Sequence, residues 1–266
     1  MKKILTILFA GLMVYGCATV PLSGRRQLSI VSNSEVLPLA YDQYGQVLKE
    51  SKVLTNTKKG QQVVKVGNRI ANAVDSYLKD NGYSSITDGF EWDFNLLESD
   101  QVNAWCMPGG KVAFYTGILP ICEDETGIAV VMGHEVAHAI ASHARERMSQ
   151  GLVANGLIGG LQVAMGEDPS LTETIFLQAV GIGGQVGMLK FGRDQELEAD
   201  QLGLIFMSIA GYDPREAPDF WQRMNAQSDA SSRPPEFLST HPGPEKRIAK
   251  LNSQMDEALK YYNKEK

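Results

Sequence analysis

Two histidines four residues apart, His134 and His138, lie in an otherwise apolar segment from Ile128 to Ala141. Helical periodicity places both imidazoles on one face, one turn apart, where they could bind one metal ion. Glu135 points about 100° away around the helix, so it would flank the ion and could serve as the general base for a metal-activated water. The alternative is a chance match on a buried helix whose histidines are satisfied by hydrogen bonds.

A third protein ligand is required, because catalytic zinc sites usually take three and keep one position for water. Besides the acidic residues of the later helices, the candidates are His143, His241, Cys106 and Cys122. His143 lies about 180° from His134 on the helix. That angle favours a solvent-exposed or helix-end position for it.

An acidic pair in the later helices offers another donor. Glu196 and Asp200 are four residues apart and share a helix face, whereas Glu198 is turned about 200° from Glu196. One interpretation is a ligand glutamate followed, one turn later, by an aspartate that holds the second nitrogen of a ligand histidine. The other is an acidic pair on a solvated face.

The composition indicates a folded chain with a sizeable core. Of 266 residues, 43% are hydrophobic and 21% are charged, which excludes a disordered or fibrous protein. The net charge is −6 without a clustered basic run. We therefore expect no nucleic-acid partner.

The N-terminus resembles a bacterial lipoprotein signal. Two lysines precede an apolar run from Ile4 to Val14 that is too short to span a bilayer, and Gly16-Cys17 follows it. We expect residues 1–16 to be a cleaved signal peptide and Cys17 to be lipidated, with an ordinary signal peptide and an incidental cysteine as the alternative. By resemblance to Gram-negative lipoproteins, Ala18 favours the periplasmic side of the outer membrane.

The two remaining cysteines, Cys106 and Cys122, would then lie in an oxidising compartment. A disulfide between them and two buried free thiols are both open alternatives.

Periodicity and turn residues predict a mostly helical chain with one small antiparallel sheet. The predicted helices cover 35–50, 58–79, the segment of His134, 193–209, a segment starting at Pro214, and 245–262; the predicted strands cover 90–96, 101–107 and 111–116. The strand at 90–96 alternates strictly and should bury one face. Residues 151–192 are glycine-rich and favour helices and hinges over the site, with a membrane-touching run at 151–166 as the weaker alternative.

Two motifs together resemble a known family. Residues 133–138 (GHEVAH) and 193–200 (RDQELEAD) are similar to the signature pair of the membrane-associated zinc metallopeptidases of the CaaX prenyl protease and mitochondrial Oma type, and the soluble bacterial periplasmic lipoproteins of that group match best. Further matches are residues 24–28, 103–104, 108–111, 145–149 and 239–242. The resemblance implies a gluzincin-like α+β fold, mostly helical, with a small antiparallel sheet beside the active-site helix. Residues 35–266 would form a single metallopeptidase domain after a lipidated tether at 17–34.

The same resemblance implies roles for the site residues. One zinc ion per chain would be held by His134, His138 and Glu196, with Asp200 orienting the site from outside the ligand set. Glu135 would be the catalytic base. The strand around residues 112–115 would be the edge that binds a peptide.

His241, the second residue assigned to catalysis, would lie over the zinc. It would either donate to the oxyanion or occupy the open metal position in the resting enzyme. We favour the second, inhibitory role, because uncontrolled proteolysis in the envelope would be harmful.

The function implied is a zinc metalloendopeptidase, a hydrolase of protein quality control that cleaves unfolded or misassembled cell-envelope proteins. It would sit in the periplasm, anchored by lipid to the outer membrane, with the envelope assembly machinery as a possible partner. A chaperone-like outer-membrane assembly factor with a largely latent protease site is the alternative. A purely structural zinc protein is a third hypothesis, but such a site would not need Glu135.

Overall fold

A computed structural model of the chain describes residues 17–20, 22–154, 169–180, 192–230, 237–238, 241 and 244–264. The predicted signal peptide, most of the apolar run at 151–166 and the neighbours of His241 in its loop lie outside these residues. The described part is mostly helical with two small sheets. This confirms the predicted α+β class.

The elements follow one another in the order strands, helices, sheet, helices. The helices are α1 (Asn33–Glu50), α2 (Lys58–Asp80), α3 (Leu119–Cys122), α4 (Glu125–Ile140), α5 (His143–Ala154), α6 (Pro169–Val180), α7 (Arg193–Ile209), α8 (Glu216–Ala230) and α9 (Pro244–Lys264). The strands are β1 (Cys17–Thr19), β2 (Arg26–Leu28), β3 (Asp93–Leu97), β4 (Ala104–Met107) and β5 (Lys111–Tyr115). Short 3₁₀ turns cover Ser84–Thr87 and Thr116–Ile118. The predicted helices and strands are all present, with ends shifted by a few residues.

The described residues form two compact units. The first combines those up to Leu39 with those between Ser142 and Leu189, and the second combines Ala40–Ala141 with those from Lys190 onward. The prediction that 35–266 acts as one domain stays a prediction.

In the first unit, β1 and β2 form an antiparallel hairpin that packs on α5. Arg25 forms an ion pair with Glu146 of α5 at 2.8 Å, and the Ser149 hydroxyl accepts the backbone N–H of Ile30 at 3.0 Å. The predicted tether at 17–34 therefore contains paired strands, because its peptide groups find partners in each other and in α5.

The helix of the two histidines, α4, begins and ends at defined backbone signals. The Asp124 side chain accepts the N–H groups of Thr126 and Gly127 and caps its first turn. After Ala141, Ser142 adopts a φ of 59°, a left-handed conformation that stops the helix. Arg145 and Arg147, which follow the histidine motif in the sequence, consequently lie in a separate helix, α5.

The sheet of the second unit has the order β3-β5-β4 and is mixed. The antiparallel β4–β5 hairpin turns through Gly109 and Gly110, whose φ values are 84° and 79°. β3 pairs with β5 in parallel. Two predictions are therefore wrong: the sheet is not fully antiparallel, and residues 112–115 form its central strand instead of an edge. The cause is that β3 pairs with the second strand of the hairpin and leaves β4 on the outside.

β3 also departs from its predicted alternation, because its residues 94–97 are all buried. On one side, the Phe94 ring lies against Gly67 of α2. On the other, the Asn95 side chain donates to the Tyr44 hydroxyl at 2.9 Å. Helices α1 and α2 thus cover both faces of a strand that the pattern assigned one solvated face.

Candidate metal centre

The site is built where α4 and α7 approach closely at a pair of glycines. A Cβ atom on Gly133 would lie 2.8 Å from the carbonyl oxygen of Gly203, and one on Gly203 would lie 2.9 Å from the backbone nitrogen of His134. Side chains at both positions would push the helices apart. The glycines therefore let the GHEVAH helix lie against the helix that carries Glu196 and Asp200.

Four donor residues converge at this contact: His134, His138, Glu196 and His241. Nε2 of His134 lies 3.0 Å from Nε2 of His138 and 3.3 Å from Nδ1 of His241. Oε1 of Glu196 lies 3.5 Å from Nε2 of His138 and 2.9 Å from Nδ1 of His241. Zinc bonds of about 2.0–2.1 Å would separate tetrahedral donors by roughly 3.4 Å. The spacing of the four donors therefore suits one small cation.

Asp200 determines how His134 presents its ring. Its Oδ1 lies 3.0 Å from Nδ1 of His134, so Nδ1 carries the proton and the lone pair of Nε2 faces the other donors. Burial and then the charge of Arg247 lower the pKa of His134 to about 4. The imidazole is consequently neutral near pH 7, which is the form that binds metals.

Arg247 of α9 is a part of the site that the sequence analysis missed. The residue is 2% exposed, and its Nε and Nη2 donate to the two oxygens of Asp200 at 2.7 and 2.5 Å. Its Nη1 lies 2.8 Å from Oε2 of Glu196. The only hint in the sequence is charge balance. The acidic residues of the two motifs need a positive charge nearby once they are buried, and the motifs contain no basic residue that faces them.

Glu135 flanks the donors. Its Oε1 lies 3.5 Å from Nε2 of His241, and its carboxylate accepts the backbone N–H of Cys106 in β4. Burial raises the pKa of Glu135 to about 7. A carboxyl group with such a pKa is suited to taking up and releasing a proton near neutral pH.

The residues present fit a divalent cation. Glu135, Glu196 and Asp200 supply three buried carboxylates, while Arg247 supplies one positive charge and the imidazoles are suited to binding in their neutral form. Among the described residues, Oε1 of Glu135 and Oε2 of Glu196 are buried without a hydrogen-bond partner. A dication would offset the negative charge that Arg247 leaves uncompensated, and imidazole with carboxylate is a donor set that zinc accepts.

The other candidate ligands are not brought to this group. His143 begins α5, as a helix-end residue would, but it is fully buried instead of solvent-exposed. Cys106 and Cys122 are both free thiols, which decides against the disulfide. Glu198 is also buried, but it is not among the four grouped donor residues.

Together the fold and the site define a metallopeptidase in which histidines and a glutamate from different helices form a group that could hold a metal ion. The chain belongs to peptidase family M48, whose sequence pattern matches residues 61–255.

Individual relatives agree with this assignment. The chain is 32% identical to the mitochondrial metalloendopeptidase OMA1 of Schizosaccharomyces pombe, over 90% of this chain and 66% of that protein. Identity to the Saccharomyces cerevisiae protein of the same name is 29%, over 98% of this chain and 76% of that one. The beta-barrel assembly-enhancing protease of Escherichia coli is 32% identical over 62% of this chain, which spans 34% of that protein.

Proposed function

We propose that this chain is a zinc-dependent endopeptidase, with one zinc ion per chain, that cleaves unfolded or misassembled proteins of the cell envelope. The observation that carries the proposal is the convergence of His134, His138 and Glu196 beside the buried carboxyl group of Glu135. A structural zinc site would have no use for that carboxyl group.

Each of these residues would have a separate role in peptide hydrolysis. His134, His138 and Glu196 would hold the zinc ion, which when bound polarises the scissile carbonyl and makes water a better nucleophile. Glu135 would accept a proton from the attacking water and pass it to the leaving amine. Asp200 would keep Nδ1 of His134 protonated and its Nε2 available.

The edge strand of the sheet is suited to binding an extended substrate. Within the described sheet, β4 pairs only with β5, and the N–H of Cys106 in β4 binds Glu135. A peptide adding to this edge would pass close to the base. Backbone pairing of this kind requires an extended chain more than a particular sequence, which suits an enzyme acting on unfolded proteins.

The cellular setting of the proposal is the periplasm, with the chain attached to the outer membrane through a lipid on Cys17. A relative named for beta-barrel assembly supports an envelope role. Among the described residues, no helix is long and apolar enough to cross a membrane.

The position of His241 favours a second candidate function. Nδ1 of His241 lies among the donors, so this residue would fill the fourth metal position in the resting protein. A largely latent protease could then act as a chaperone-like factor in outer-membrane assembly, with cleavage reserved for substrates that displace His241.

The deciding experiment is digestion of casein by the purified chain with zinc, with and without a chelator. We expect cleavage with zinc and none with chelator. Glu135→Gln should retain about one zinc per chain and lose cleavage, because the ligands remain while the base is gone. Cleavage by this variant at the wild-type rate would refute the base assignment.

In cells, the same variant separates the two functions. An assembly factor would keep its role with Glu135→Gln, whereas a protease would lose it.

A further inference from the structure

Arg247 occupies an unusual place for an arginine, inside the metal centre but outside its donor group. The guanidinium is buried, lies 3.5 Å above the ring of Trp221 and faces two carboxylates from α7. Stacking on the indole fixes the plane of the guanidinium. Its five N–H groups therefore point in set directions.

The two carboxylates use different sides of the guanidinium. Nε and Nη2 bind the two oxygens of Asp200, which is the side-on, two-bond geometry that arginine makes with carboxylates. The remaining nitrogen, Nη1, faces Glu196 and lies 2.8 Å from its Oε2. This contact is an ion pair, but its geometry is not that of a hydrogen bond.

The consequence for Glu196 is that its two oxygens are in different surroundings. Oε1 lies 2.9 Å from Nδ1 of His241, among the donors. Oε2 faces Arg247 and is 3.8 Å from Nε2 of His134. A carboxylate can bind a metal through one oxygen or both, and here the second oxygen has a competing positive charge.

We propose that Arg247 is a positioning residue that restricts Glu196 to one-oxygen binding of the metal and thereby limits the site to four donors, the fourth being water or His241. It does so through its fork of N–H groups, which spans Glu196 and Asp200 at once. This inference rests on the proposed function, since it concerns the coordination of the proposed metal.

The test uses the purified chain loaded with Co²⁺ in place of zinc. Cobalt absorbs visible light more strongly in four-coordinate sites than in five-coordinate ones, so the spectrum reports the coordination number independently of activity. Arg247→Gln removes the charge and the fork. We expect weaker visible absorption at one cobalt per chain, as Glu196 binds through both oxygens. In the zinc form we expect a kcat lower by about 10–100-fold, with a smaller change in KM.

Arg223 of α8 offers a matched control. It is partly buried and, like Arg247, it forms ion pairs with two acids, here Glu216 and Glu123, but it does not contact the donor group. Arg223→Gln should leave the cobalt spectrum and kcat as in the wild type. An unchanged spectrum and kcat in Arg247→Gln as well would overturn the proposal.

Arg247→Lys tests whether the fork of N–H groups is needed, because it keeps a positive charge in the site but removes the fork. It also provides a second test in case Arg247→Gln does not fold. A single ammonium cannot span both carboxylates in fixed directions, so we expect a folded protein with the altered spectrum. A wild-type spectrum and kcat in Arg247→Lys would show that charge alone suffices and would overturn the proposal.

Failure of the proposed function gives a different result. A wild-type chain that binds neither zinc nor cobalt and cleaves nothing would refute both the proposed function and the role of Arg247. A wild-type chain that binds metal and cleaves casein, with the same spectrum and kcat in Arg247→Gln, would refute only the role of Arg247.

Discussion

At the scale of single residues, the site depends on carboxylates with different partners. Glu196 and Glu198 are two positions apart on α7, yet only Glu196 reaches the donors. Asp200 contacts Nδ1 of His134 and the guanidinium of Arg247. Burial opposes its ionisation, but these partners outweigh burial and hold the pKa of Asp200 well below its usual range. Asp200 is therefore a fixed anion that orients the imidazole of His134.

We predict that Glu196→Gln lowers zinc affinity by more than about 100-fold, because a charged oxygen donor is lost, while Asp200→Asn costs about 10–100-fold as an outer partner does. Glu198→Gln is the matched control and should bind zinc as the wild type does. Competition with a chromophoric chelator measures all three. Equal affinity in the Glu196 and Glu198 variants would refute the ligand assignment.

We predict that His241→Ala raises basal cleavage of casein and broadens substrate choice, because a resting fourth ligand is removed. The competing role as an oxyanion donor predicts the opposite sign, a loss of roughly 10²–10³-fold. The measurement is the initial rate at confirmed full zinc content. A reduced rate with zinc retained would assign His241 to the oxyanion instead.

At the scale of elements, the metal centre requires α4 and α7 to touch at Gly133 and Gly203. This contact aligns two helices that are more than fifty residues apart in the chain, with α4 ending at Ile140 and α7 beginning at Arg193. The helices meet at backbone distance, so no side chain is available there to yield to a larger residue.

We predict that Gly203→Ala destabilises the chain by roughly 1–3 kcal/mol through overpacking and also weakens zinc binding, since the two ligand helices separate. Denaturant unfolding and zinc competition measure the two effects. Gly45→Ala in α1 is the control, because a Cβ there meets nothing within 4 Å. It should stabilise by about 0.5–1 kcal/mol without changing zinc affinity. Wild-type zinc affinity in Gly203→Ala would show that the close approach does not position the ligands.

At the scale of the whole molecule, we propose that a lipid on Cys17 attaches the chain to a membrane. The lipid predicted on Cys17 would attach at β1, the first strand of the hairpin on α5.

We predict that the chain expressed in a Gram-negative host fractionates with the outer membrane and that Cys17→Ala yields a soluble or unprocessed form. Cys122→Ala is the control and should fractionate as the wild type does, because Cys122 does not follow an apolar leader. Fractionation and mass spectrometry decide. Unchanged membrane association and mass in Cys17→Ala would refute lipidation.

Features that depend on neighbours in the chain could be predicted from the amino-acid sequence. The spacing of His134 and His138, the shared face of Glu196 and Asp200, and the extent of the main helices all follow from a period of 3.6 residues. The family resemblance, carried by the same two motifs, is confirmed. It also supplied the place of His241, whose position in a loop no periodicity could have given.

Features that depend on pairing between distant parts of the chain became visible with the three-dimensional fold. β3 pairs in parallel with β5, which is not the next strand in the chain, and this pairing leaves β4 at the edge of the sheet. Arg247 pairs with Asp200 from 47 positions away, and nothing local marks it among the other basic residues of its helix. Local periodicity sets which face a side chain occupies, whereas the packing of one helix on another sets which charges meet, and that packing is what assembles this metal centre.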